Sequence, residues 1–263
     1  MPSLSGRKVF ITGASSGIGA DLAVGCARAG ATVGLCARRA DRLTEVLEQC
    51  RAYAPESRSW PADLGDIDAL PALAARVDDE MGGIDILVNN AGMPKRRRAE
   101  VLSADDVETV MRVNYFSPVR LTVSLLGRML ARGGGTIVNV SSIAAHLSSP
   151  GESAYDASKA ALTAWSEALA MEMTGRPVTV HLVYPGIIDT EIFHLPDNDP
   201  VPEGLEALPV STVTEAVLAQ LDTGEFEVWV PEQFRQIARA KQDDLPSFLS
   251  MAGQWYVSQS AAP

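Results

Sequence analysis

The stretch Thr12-Gly13-Ala14-Ser15-Ser16-Gly17-Ile18-Gly19 follows a short β-branched run, Lys8–Thr12 (KVFIT), and opens the helical spacing of Ile18–Ala29. Glycines at such a junction let the chain turn tightly, let the backbone approach a pyrophosphate, and let the helix pack close to its strand. The free N–H groups and partial positive charge of the helix start then suit phosphate. Glycine clusters also mark ordinary turns, but this one lies between a first strand and a first helix, where phosphate binding requires it. Gly13, Ser15, Ser16, Gly17, Ile18 and Gly19 are therefore read as a cradle for a dinucleotide.

Outward from this turn, brief apolar runs alternate with longer helical patterns. Thr32–Cys36, Asp85–Asn89, Thr136–Val140 and Thr179–Tyr184 read as strands buried on both faces, with a weaker sixth strand around Ser57–Trp60. Ile18–Ala29, Asp41–Tyr53, Ile67–Met81, Ala104–Ala131 and Ala154–Thr174 read as helices. Strand followed by helix, repeated, predicts an α/β fold: a single doubly wound Rossmann domain over residues 1–263, its parallel sheet covered by helices on both faces. No internal repeat or low-complexity linker interrupts it. The Pro- and acid-rich segment 189–210 reads as a substrate loop, and 232–263 as a C-terminal extension.

Composition narrows the function. The chain has 263 residues, 46% hydrophobic and 21% charged, which is ordinary for a globular domain. Lys+Arg 22 against Asp+Glu 33 gives a net charge of -11, so nucleic acid and anionic membrane surfaces are not expected partners. Cys26, Cys36 and Cys50 show no paired spacing, and they are expected as buried reduced thiols. No apolar stretch has the length of a membrane span, and the start lacks a signal-peptide pattern. The expectation is a cytoplasmic enzyme without a metal.

The second strand indicates which dinucleotide. An NAD site usually places an acid about 20 residues beyond the glycine turn, to bond the ribose 2′-hydroxyl. No Asp or Glu occurs between Asp21 and Asp41, and the strand ends in Ala37-Arg38-Arg39. A guanidinium is always charged and forks onto phosphate oxygens, so Arg38 and Arg39 suit a 2′-phosphate. NADP(H) is expected over NAD(H). The bland alternative makes both arginines exposed charges opening the next helix.

Ser141 and Ser142 end the strand Thr136–Val140, and the helix beyond carries Tyr155 and Lys159. Positions four apart share a helix face. Both side chains can then reach a ligand over the C-terminal edge of the sheet, where doubly wound folds bind ligands. A phenol of ordinary pKa near 10 is a poor base at neutral pH. A nearby ammonium favours the phenolate by ~1–4 kcal/mol, which would match Tyr155 to a carbonyl/alcohol pair. Singly, each residue has a plain structural explanation: Ser142 a turn cap, Tyr155 an amphipathic surface residue, Lys159 a solvated charge.

These motifs occur in an order that resembles the short-chain dehydrogenase/reductase family from Gly6 to about Pro231: TGASSGIG at Thr12–Gly19, Asp63 after the third strand, NNAG at Asn89–Gly92, Asn114, Ser142, Tyr155 with Lys159, and PGIIDT at Pro185–Thr190. The resemblance implies Tyr155 as general acid/base, Lys159 lowering its pKa and holding the nicotinamide ribose, Ser142 orienting the substrate oxygen, and Asn114 supporting a water relay. It implies Asp63 at the adenine, Asn90, Ala91 and Gly92 along the ribose, and Ile188 and Thr190 at the carboxamide. Leu64, Pro185 and Gly186 are counted with the coenzyme site. Ala37-Arg38 resembles the NADP-preferring members, although many of those also carry a basic residue where this chain has Ser16.

Together these readings predict hydride transfer between NADP(H) and the carbonyl or secondary alcohol of a small to medium, partly apolar substrate, in a homodimer or homotetramer. A catalytically silent dinucleotide sensor or scaffold, or an epimerase or dehydratase variant, is the alternative. The run Lys95-Arg96-Arg97-Arg98 reads as a solvated loop ahead of an anion-docking site. His146 is expected to line the substrate pocket, His181 to sit in the core, and His194 to fall in the insert. Packing on its own sheet would explain most of the small face of the Tyr155 helix (Ala157, Ala160, Ala161, Ala164, Ala168, with Trp165), although the family resemblance also allows a dimer or tetramer interface there.

Overall fold

The computed structural model describes residues 4–199 and 206–260. Seven parallel strands form one sheet in the order β3-β2-β1-β4-β5-β6-β7. They are β1 (Lys8–Thr12), β2 (Thr32–Ala37), β3 (Arg58–Pro61), β4 (Ile86–Asn89), β5 (Gly135–Val140), β6 (Val178–Pro185) and β7 (Glu227–Val230). The helices are α1 (Gly17–Arg28), α2 (Ala40–Arg51), α3 (Leu70–Met81), α4 (Ala104–Met111), α5 (Ser117–Ala131), α6 (Ser153–Glu172), α7 (Val210–Thr223), α8 (Gln233–Asp243) and α9 (Leu245–Ser260). β1 lies at the centre, with Ile11 in register with Leu35 of β2 and Val88 of β4. The strand order reverses beside it, which puts the crevice over β1 and β4.

Alternation along each strand divides the core. Val9 and Ile11 join Val33, Leu35, Val88 and Val138 on the face covered by α1, α2 and α7. Phe10 points the other way, with Leu87 and Ile137, under α3, α5 and α6. Both faces are dry, as a parallel sheet requires, and each fully buried Leu or Ile stabilises the fold by ~1.5–3 kcal/mol. Cys26, Cys36 and Cys50 are free and buried, as expected, and burial pushes their thiols up to about 12, about 12 and about 11. His181 is in the core, its Nδ1 2.7 Å from the Glu225 carbonyl.

Several elements differ from the sequence-based expectation. The predicted helix Ala104–Ala131 is two helices joined by a wider π-turn, Arg112–Phe116, with Pro118 in the first turn of α5. The proline removes one intrahelical N–H, and the widened turn before it accommodates the break in the ladder. α7, β7, α8 and α9 stand where the sequence reading predicts no element. The outward face of α6 carries Ala157, Ala164 and Ala168, whereas Ser158, Leu162, Thr163 and Ser166 face the sheet. Packing on the chain's own sheet therefore does not account for those alanines.

Candidate active site

A cavity of about 450 Å³ runs along the C-terminal ends of the central strands. Its walls include Gly13, Ser15, Ser16, Gly17 and Ile18 from the first turn; Arg38, Arg39, Asp63 and Leu64 beyond β2 and β3; and Asn90, Ala91 and Gly92 beyond β4. Ser142, Tyr155 and Lys159 line the far end, with Pro185, Gly186, Ile188 and Thr190 beside them. Gly19 and Asn114 are the two expected site residues behind the wall instead of on it.

Gly19 makes the close packing of the turn possible: a Cβ there would sit 2.4 Å from the Gly13 carbonyl oxygen and 2.4 Å from Asn90 Nδ2. Gly13 itself has φ +68°, and a Cβ on it would come within 2.8 Å of Ala91 Cα. Only glycine fits both constraints. Thr12, not singled out as a site residue, ties the two strand ends together. Its Oγ1 donates to Val88 O (3.3 Å) and accepts from the backbone N–H of Asn90 (3.0 Å) and Ala91 (3.1 Å). Asn90 Nδ2 returns a bond to Thr12 O at 3.0 Å. No side chain caps the start of α1, so its first-turn amides are available to phosphate oxygens. The glycine turn, the uncapped helix and the long groove fit a dinucleotide.

At the other end, Asn114 is fully buried in the π-turn. Its Oδ1 accepts from Met93 N (2.8 Å), and its Nδ2 donates to Met93 O (3.0 Å) and Ser158 Oγ (2.9 Å). Ser158 Oγ in turn donates to the Tyr155 carbonyl at 2.7 Å. Asn114 thus fixes the segment after Gly92 against the first turns of α6. The π-turn rotates the helix so that this side chain faces inward, a device associated with functional sites.

Ser142 is nearly buried and accepts from Ala144 N at 3.1 Å, so it caps the turn after β5. Lys159 is buried, and its Nζ donates to Val140 O (3.0 Å) while lying 5.7 Å from the centre of the Tyr155 ring. Burial pushes the Lys159 amine down to about 8. It pushes the Tyr155 phenol up; a hydrogen bond with Ser142 pulls the other way, and the Glu152 and Asp156 carboxylates push it further up. The expected lowering of the phenol by its lysine does not set its direction: desolvation is the largest cause, and the net shift is upward.

Arg38 is exposed, with neither a hydrogen bond nor an ion pair among the described residues. Arg39 is engaged: it donates to Ser16 Oγ (2.6 Å) and Ser15 Oγ (3.2 Å) and pairs with Glu191 at 2.8 Å. Two other expectations change. His146 does not line the cavity; it packs against Tyr184 and Trp229, each ring centre 5.0 Å away. The first half of the basic run is not solvated either, whereas Arg98 is exposed as expected. Lys95 and Arg96 are buried, and Lys95 pairs with Asp106 and Asp197, both at 2.8 Å. Arg96 donates to Phe193 O (2.7 Å) and Asp199 O (3.0 Å). A run of like charges is buried here because acids and carbonyls of 193–199 meet it. His194 lies in this insert, and its side chain is outside the described residues. Among the described residues no group of three or more His, Cys, Asp or Glu is placed to hold a metal, and no helix is long and apolar enough to cross a membrane.

The chain shares its residues 7–199 with the family model described as short chain dehydrogenase. It is 39% identical over 216 residues to a fatty acyl-CoA reductase of Mycobacterium tuberculosis, covering 81% of this chain and 71% of that protein. A short-chain dehydrogenase of Streptomyces avermitilis superposes with a TM-score of 0.82 at 29% identity over 99% of this chain and 100% of that one. A short-chain dehydrogenase of Sphingobium yanoikuyae, solved in complex with NADPH, gives 0.81 at 30% identity, over 90% of this chain and 94% of that one. With a parallel sheet of the expected topology and motifs converging on one groove, the chain is an oxidoreductase that belongs to the short-chain dehydrogenase/reductase family.

Proposed function

We propose that the protein transfers hydride between NADP(H) and the carbonyl or secondary alcohol of a small to medium, partly apolar substrate, with Tyr155 as the general acid/base. The observation that carries this reading is the convergence of Ser142, Tyr155 and Lys159 at one end of a groove whose other end holds the free guanidinium of Arg38. When bound, the nicotinamide supplies or accepts the hydride. The chain's own residues handle the proton. A phenol held above its ordinary pKa is neutral at pH 7, so Tyr155 Oη is loaded to donate to a developing alkoxide. Ser142, bonded to that phenol, holds the same substrate oxygen. Lys159, protonated below about 8, supplies the positive charge that steadies the phenolate left behind.

The remaining coenzyme contacts follow the groove. The α1 amides take the pyrophosphate, Asp63 and Leu64 the adenine side, Asn90–Gly92 the ribose, and Pro185, Gly186, Ile188 and Thr190 the carboxamide side. Segment 189–210 acts as the substrate loop: Ile192, Phe193 and Leu195 line the cavity beside Tyr155 and make its mouth apolar. The Mycobacterium relative is named for a fatty acyl substrate, which agrees with an apolar mouth. The exposed alanines of α6, with Met171 at 70% exposure, support a homo-oligomer through that face. Three buried thiols with unfavourable thiolates suit a reducing cytoplasm.

The test is coenzyme oxidation with NADPH and with NADH against aldehydes, ketones and acyl thioesters of graded chain length, and reduction of NADP⁺ with matched alcohols. Turnover favouring NADPH and rising with chain length is expected. NADH preferred throughout, or no turnover across the panel, would overturn this reading.

A further inference from the structure

Glu191 opens the substrate loop, immediately after Thr190, yet its carboxylate crosses the mouth of the groove to the β2 end. One oxygen, Oε2, pairs with Arg39 at 2.8 Å, and the other, Oε1, pairs with Arg42 on the first turn of α2. Arg39 is also held by Ser15 and Ser16, in the turn expected to cradle phosphate. The arrangement is a carboxylate set before two guanidiniums and two hydroxyls, which is the donor set that a phosphate ester would use. Arg38, next in the wall, has no such partner among the described residues.

The three side chains are 40–47% exposed. Ion pairs in water are weak and exchange readily, so a dianionic phosphate, with more charge and more acceptors than a carboxylate, displaces Glu191. A ribose hydroxyl has neither and leaves it in place.

We propose that Glu191 is a built-in competitor for the 2′-phosphate of NADP(H), occupying Arg39 and Arg42 until that phosphate takes them, and that this exchange both limits selectivity for NADP(H) over NAD(H) and releases the start of the substrate loop. The proposal rests on the NADP(H) reading above. It adds a residue from the far side of the chain, 149 positions after Arg42, to the determinants of coenzyme choice.

The experiment is direct binding of NADP⁺, NAD⁺, 2′-AMP and 5′-AMP to the full-length protein and to Glu191→Gln, by calorimetry or by quenching of intrinsic fluorescence. Glu191→Gln is expected to bind NADP⁺ and 2′-AMP about three- to tenfold more tightly, the range that two exposed ion pairs allow, with NAD⁺ and 5′-AMP changed less than twofold. Glu191→Ala, which also removes the hydrogen bonds a glutamine retains, gives at least the same shift. NADP⁺ binding unchanged or weakened in the variants, or NADP⁺ and NAD⁺ moving together, overturns the proposal. Tighter binding of NAD⁺ than NADP⁺ by the unsubstituted protein instead overturns the NADP(H) reading, whatever the variants do.

Discussion

Lys159 Nζ bonds the Val140 carbonyl at 3.0 Å and lies 5.7 Å from the centre of the Tyr155 ring, so the ammonium is anchored to β5 within cation–π range of that ring. The two groups are buried together, and burial favours the neutral form of each. On the proposed reaction, this relationship predicts a pH dependence.

Because kcat/KM reports the groups of the free enzyme, kcat/KM for NADPH-driven reduction is expected to fall as pH rises through about 8, where Lys159 loses its proton. Lys159→Arg keeps its charge at any accessible pH, so the fall moves to higher pH even if the maximum rate drops. A wild-type profile that stays level from pH 7 to 10 would remove Lys159 from the protonic role.

Asp156, beside Tyr155, is buried, with Oδ2 accepting from Ser149 N at 2.8 Å and Oδ1 unpaired. Burial and the nearby Glu152 carboxylate raise its pKa to about 7 from 3.8, against an opposing Lys241. Between those values the folded state binds more protons than the unfolded chain, so stability falls as pH rises through that window. Asp156→Asn keeps the Ser149 bond and carries no charge. It is expected to be more stable than the parent by ~1–3 kcal/mol at pH 8, with the gain vanishing near pH 4. Urea unfolding at several pH values measures this, and a pH-independent difference would contradict it.

Arg96 bonds the carbonyls of Phe193 and Asp199 from a buried position and lies 3.8 Å from Glu152. Arg96→Met leaves those acceptors without their donor and is expected to cost ~2–4 kcal/mol. The loop that carries Phe193 also loses its hold. KM for the carbonyl substrate should rise by a larger factor than the Kd for coenzyme, since the glycine turn and the Asn90–Gly92 wall are untouched. An equal weakening of both would show that Arg96 supports the whole domain and not the loop.

Legibility in the sequence followed the strength of local signals. β1, β2, β4, β5 and β6 are continuous β-branched runs, and each lies within a residue or two of its expected place. The glycine turn was legible because two backbone constraints, at Gly13 and Gly19, admit no other residue. β7 (Glu227–Val230) escaped because four residues with an acid at the start carry little periodicity. α7 does carry a signal: Val210, Val213, Val217 and Leu221 share a helical face, and Gly224 stops it. The π-turn left no mark in the apolar spacing, although Pro118 signals a new helix start. Long-range pairing was not legible. Nothing near Lys95–Arg98 shows that Asp106 and Asp197 meet the run, and nothing near Arg39 points to Glu191, because charge partners distant in sequence are brought together only by the fold.

The proposed reaction depends on the Tyr155 phenol as the proton-transferring group. Single-turnover reduction and coenzyme binding should be measured side by side for Tyr155→Phe, which keeps the ring and removes only the hydroxyl. Turnover is expected to fall by ~10²–10⁴-fold while the Kd for NADPH changes less than twofold; turnover close to that of the parent would contradict the assignment.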